Sequence, residues 1–109
     1  MAYKLTFKKQ KAATGLRAVG NGMPNTNIKA NGKYVGEIVA PNWMTKDRLY
    51  GIRFAVKKNV TEEDPAAFGW ITLKARAEME SDARALIIRN WEKICEKYDL
   101  YLFEDFMPE

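Results

Sequence analysis

Histidine is missing from the chain, and cysteine occurs once, at Cys95. The first absence removes the commonest general base near neutral pH. The second removes any internal disulfide, and the two together remove the ligand sets of the usual zinc sites. No stretch approaches the ~18 apolar residues that a membrane span needs, and Met1-Ala2-Tyr3-Lys4 lacks the apolar run of a signal peptide. There is no P-loop. Gly15, Gly20 and Gly22 lead into a hairpin rather than from a strand into a helix, so they do not form a dinucleotide fingerprint. These gaps point away from an enzyme. They lead us to expect no cofactor, no metal, no membrane contact and a reducing cytoplasmic setting.

Acidic residues are also scarce in the first part of the chain. Residues 1–60 carry 12 Lys/Arg against only Glu37 and Asp47, net +10, whereas residues 61–109 carry 6 against 12, net −6, which makes the overall +4. Such separation suits an oriented electrostatic surface, although the halves can also neutralise each other once folded. What remains is ordinary: 109 residues, 47% of them apolar, are enough for one folded domain with its own core.

The clearest pattern runs from Arg48 to Lys58. Tyr50, Ile52, Phe54 and Val56 alternate with Gly51, Arg53, Ala55 and Lys57, the signature of a strand buried on one side; we read it as the central strand of an antiparallel sheet. Tyr3 to Lys9 reads as a first strand. Residues 10–26 read as a long loop with a short extended piece at Leu16–Val19. Ala30-Asn31-Gly32-Lys33 reads as a hairpin with a type I′ turn. Simple pairing across that turn joins Lys29 to Tyr34, Ile28 to Val35 and Asn27 to Gly36. It puts Ile28, Ala30, Val35 and Val39 on one face and Lys29, Tyr34, Gly36 and Ile38 on the other. Pro41 cannot continue a central strand, so the second arm stops near Ala40, and Trp43 folds back over a core edge.

Trp70 to Ala75 reads as another strand, and Leu100 to Phe103 as a short last one. Between them Ser81 reads as a helix N-cap, with Asp82 in the first turn. Ala83, Leu86, Ile87, Trp91, Ile94, Cys95 and Tyr98 form an apolar stripe along a helix ending near Tyr98. Cys95 is expected to serve as a small buried hydrophobe. Glu62-Glu63-Asp64 reads as a solvated acidic loop. The fold expected is a single α+β domain over residues 1–109: a twisted antiparallel sheet of four to five strands with one long C-terminal helix packed on one face.

If the apolar strand faces turn toward the helix, the other face carries Lys4, Lys8, Lys29, Tyr34, Arg53, Lys57, Trp70 and Lys74. Cations interleaved with aromatics suit nucleic acid, the cations meeting phosphates and the rings stacking bases. The same lysines also suit a face that meets only water. A second reading uses the acidic half. Glu96, Phe103, Glu104 and Phe106 would dock on a basic groove of a protein partner by charge complementarity with apolar anchors.

One stretch carries a resemblance. Thr14-Gly15-Leu16-Arg17-Ala18-Val19-Gly20, followed by Ile28-Lys29-Ala30-Asn31-Gly32-Lys33-Tyr34-Val35-Gly36-Glu37-Ile38, resembles small accessory proteins of tailed bacteriophages. The resemblance is one of style over residues 14–38 and carries no functional residue across. It implies a compact cytoplasmic protein that binds host nucleic-acid machinery or a defence complex.

Overall fold

A computed structural model describes residues 4–10, 24–41 and 47–103. Its elements are β1 (Leu5–Lys9), β2 (Thr26–Ala30), β3 (Lys33–Val39), β4 (Gly51–Lys57), β5 (Phe68–Thr72) and α1 (Glu80–Lys97). The strands form one antiparallel sheet in chain order, β1-β2-β3-β4-β5, and α1 lies across one face. This is the α+β layer pair expected. The central strand is β3, however, and not β4. Alternation in a sequence reports one-sided burial and carries no information on strand order. The expected extended piece at Leu16–Val19 and the position of Trp43 lie outside the described residues.

Asn31 and Gly32 take φ of 53° and 83°, the two positive values a type I′ turn requires. Lys29 then pairs with Tyr34 as expected, but the register shifts at the next position. Ile28 faces Gly36 and Asn27 faces Glu37, leaving Val35 as the extra residue of a β-bulge. The bulge keeps Val35 in the core and turns Gly36 and Ile38 toward the helix, the reverse of the simple hairpin. It also carries Glu37 to the opposite face. Packing explains why Gly36 sits where it does. A Cβ there would collide with the Arg53 carbonyl oxygen and lie 2.8 Å from Phe54 Cδ1. Phe54 therefore covers the gap that only glycine leaves.

The helix buries Ala83, Ile87, Trp91 and Ile94, a stripe at helical spacing. Trp91 meets Phe54 with ring centroids 6.0 Å apart, and Ile28, Ile38, Ile52 and Ile87 complete the core. Leu86, expected among the buried residues, is only half-buried at the edge of the stripe. The N-cap is Met79 rather than Ser81, and no side chain caps it. The start is set by Glu80, which accepts a hydrogen bond from Thr26 Oγ1 at 3.0 Å, sits 3.6 Å from Lys9 Nζ and pairs with Arg84. A tertiary tether to β1 and β2 thus prevails over the local capping signal.

After the helix, residues 99–103 do not form a regular strand. They enter the fork that opens where β3 and β4 part beyond the Gly36–Phe54 pair. Lys57 N–H donates to the Asp99 carbonyl at 2.8 Å, Tyr101 N–H to Ala55 at 2.9 Å and Phe103 N–H to Tyr34 at 2.9 Å. Single bridges join Leu100 to Val56 and Phe103 to Tyr34. β5 is displaced from the expected range for a related reason. Its chain makes a last bond to β4 from Leu73 N–H to the Ile52 carbonyl at 2.9 Å, leaves the sheet, and returns as Ala77, which exchanges hydrogen bonds with Tyr50.

Candidate functional site

The face of the sheet away from α1 is organised by register. Lys8, Asn27, Glu37, Arg53 and Thr72 pair in succession, so one polar row crosses all five strands. On one side of it Thr6, Lys29, Tyr34, Ala55 and Trp70 make the next row, followed by Lys57 and Phe68.

The middle of this row is filled by the protein itself. Glu37 is only 4% exposed. It pairs with Arg53 Nη2 and accepts from Gln10 Nε2 at 2.7 Å and from the Tyr34 hydroxyl at 3.4 Å. Gln10 Nε2 also donates to Asn27 Oδ1 at 2.8 Å. A buried carboxylate is tolerable when its oxygens meet this many donors. Burial pushes the Tyr34 phenol well above its ordinary value. The Glu37 carboxylate adds to the rise and the Arg53 guanidinium opposes it.

Next to the row stands an aromatic cluster that the C-terminal segment completes. Phe68 stacks on Tyr101 at 5.4 Å and meets Phe103 edge-on at 4.8 Å. Tyr34 contacts Phe103 at 5.5 Å and Trp70 at 6.4 Å. The Arg53 guanidinium lies over the Trp70 ring, 4.4 Å from its centroid. Such edge-to-face and cation–π contacts each add modestly to burial.

Of the residues proposed to touch nucleic acid, Tyr34, Arg53 and Trp70 come together, but in different roles. Tyr34 is 3% exposed, so its ring cannot stack a base, and that expectation is corrected. The bulge and the Phe103 segment are what bury it. Trp70 remains 42% exposed. Lys8 and Lys29 stand on β1 and β2, and Lys4 just before β1. Among the described residues these three lysines have no ion-pair partner. Lys57 is exposed, with Asp99 3.7 Å away, and Lys74 is exposed beyond the end of β5.

Of the residues proposed for a protein partner, Glu96 is exposed on the helix. Phe103 belongs to the internal aromatic cluster and is not a free anchor. Glu104 and Phe106 lie outside the described residues.

Glu37, Gln10, Phe68 and Tyr101 were not foreseen as parts of this face. A signal for Glu37 did exist: an acid set between Gly36 and Ile38 in an apolar strand needs a buried partner. Burial raises the Cys95 thiol above its ordinary value, away from the thiolate a nucleophile requires. Asp64 pairs with Lys58 and accepts from Ala66 N–H, and these bonds hold its carboxyl below its ordinary value. Among the described residues no group of three or more His, Cys, Asp or Glu could hold a metal, and no helix is long and apolar enough to cross a membrane.

Neither a family model, nor a curated protein, nor a solved structure matches the chain.

Proposed function

We propose that this chain is a non-enzymatic cytoplasmic protein that binds nucleic acid through the sheet face opposite its helix. The observation that supports the reading is the division of that face. Lys4, Lys8 and Lys29 cluster at the β1–β2 side without acidic partners among the described residues, and Trp70 offers an exposed ring at the β5 side. Between them Glu37 and Tyr34 act as scaffold, fixing Arg53 rather than meeting a ligand. Cations that are not neutralised in place are the ones that can exchange counterions for phosphates.

A reading as an inhibitor or adaptor of a host nucleic-acid-handling or defence complex gains less from the structure. Of its anchors, Phe103 is already used internally. The test is direct binding of single- and double-stranded oligonucleotides at low and moderate salt. The reading predicts binding that falls steeply with salt. No binding at low salt, together with a protein partner that is captured from nuclease-treated lysate and lost on changing Glu96, would favour the adaptor instead.

A further inference from the structure

We infer that β5 is a docking edge for a second copy of this chain, pairing antiparallel with its own counterpart across a two-fold axis through Trp70. The inference goes beyond the nucleic-acid reading and does not depend on it.

The sheet has two outer strands, β1 and β5. β1 carries Lys8 and Lys9, with Lys4 just before it, and charge on an outer strand discourages pairing with another chain. β5 has no such guard. Phe68-Gly69-Trp70-Ile71-Thr72 contains no charge and no proline, and its register with β4 has no bulge. Among the described residues nothing pairs with its open side. Trp70 and Thr72 are exposed, and Phe68 and Ile71 are only half-buried.

The phase of the hydrogen bonds decides which residues of β5 face outward. Lys58 N–H donates to the Ala67 carbonyl at 3.2 Å, and Leu73 N–H to the Ile52 carbonyl at 2.9 Å. Bonded and non-bonded pairs alternate along an antiparallel ladder. Gly69 and Ile71 therefore bond to β4, and the backbone N–H and C=O groups of Phe68, Trp70 and Thr72 point to the open side.

Symmetry selects the occupant. When Trp70 meets Trp70 of the second copy, Phe68 meets Thr72 and Thr72 meets Phe68, so every outward group finds a partner in one register. The side chains fit that same register. On the face away from α1 the two tryptophans form a cross-strand aromatic pair. On the other face Ile71 lies opposite Gly69 of the second copy. The missing Cβ there leaves room, with only Lys58 Cδ near it at 3.5 Å. At each end, Lys74 of one copy approaches the Glu62-Glu63-Asp64 loop of the other, so charge is complementary as well as shape. A strand of unrelated sequence matches the backbone alone. The product is one sheet of ten strands, five from each copy. An edge of five residues is a small interface, so the dimer is weak and forms as concentration rises.

The test is sedimentation of the full chain without nucleic acid, from low concentration to about 1 mM. The parent should pass from monomer to dimer over that range. Trp70→Lys and Trp70→Glu each set like charges directly opposite at the two-fold axis. Each should weaken dimerisation about tenfold or more, and an equimolar mixture of the two should restore it as a heterodimer. Thr72→Pro deletes an outward N–H and no bond to β4, and Ile71 before it is already extended, so this variant should fold and stay monomeric. Thermal melts check that each variant is folded. Thr6→Glu, on the opposite outer strand, should leave the dimer unchanged. A parent that stays monomeric throughout would overturn the inference. So would a dimer that survives Thr72→Pro, a mixture that stays monomeric, or a dimer lost in Thr6→Glu but kept in both Trp70 variants.

Discussion

The two faces of the sheet solve different problems with residues from the same strands. Toward the helix, Ile28, Ile38, Ile52 and Phe54 bury side chains that have no polar atoms to satisfy, and Ile87 and Trp91 close over them. Away from the helix, the same strands bury Asn27, Glu37 and Tyr34, whose polar atoms must each find a partner. The first face is specified by shape, as the close fit of Phe54 over Gly36 shows. The second is specified bond by bond, and its outer parts, at Lys8, Lys29 and Trp70, remain available. The sheet thus has one dry core and one hydrogen-bonded, half-open face, and the proposed function would put recognition on the side opposite the core.

The contrast can be broken most sharply in the core. Phe54→Ala should cost ~3–5 kcal/mol, as for other buried aromatic truncations, because it also uncovers Gly36. A urea midpoint close to that of the parent would mean that the helix side is not the main core. Removing the Glu37 charge should cost less, since its partner Arg53 is 39% exposed and water can serve part of the guanidinium. For Glu37→Gln we expect ~1–3 kcal/mol, the range for a buried polar group losing a partner. A cost under ~0.5 kcal/mol would show that the polar row is not a fixed network.

Tyr34→Phe sharpens the comparison through pH. Burial raises the folded-state phenol above its ordinary value of about 10. The neutral phenol is thus favoured in the native state. The stability it contributes is complete below the unfolded value and is lost as pH rises from there toward the folded one. At neutral pH, Tyr34→Phe should change stability by less than ~1 kcal/mol, because the hydrogen bond it removes from Glu37 is a long one. Above pH ~10 it should make the fall in stability shallower, as seen by urea melts across that window. An unchanged slope would mean that Tyr34 is more open to water than its burial implies. Smallest of all, Lys8→Gln at an exposed position and Lys29→Gln at a half-buried one should each alter stability by ~0.5 kcal/mol or less, since neither lysine holds an ion pair among the described residues.

Much of the dry face was legible in the sequence, and less of the wet one. Period-two alternation in residues 50–56 and helical spacing from Ala83 to Ile94 report burial directly. Asn31-Gly32 reports its turn because few other residues accept two positive φ angles. The bulge at Val35 was not legible, because it depends on Phe54 needing room over Gly36, a contact between strands far apart in the chain. From that one displaced residue followed the misplacing of Gly36 and Ile38 and the unforeseen burial of Glu37. Strand order, the fork that receives residues 99–103, and the burial of Tyr34 beneath Phe103 are likewise products of distant pairing. The helix start failed for the opposite reason: a strong local cap at Ser81 gave way to the long-range hold on Glu80.

The most direct measurement of the central claim is the salt dependence of oligonucleotide binding, comparing the parent with the Lys8→Gln/Lys29→Gln variant. For single strands each phosphate contact contributes about 0.7 to the slope of log K against log salt. If both lysines touch phosphates, the variant should fold normally, bind more weakly and show a slope smaller by about 1.4. A variant that binds with the parent's affinity and slope would contradict the account, and so would a parent that binds no nucleic acid at low salt.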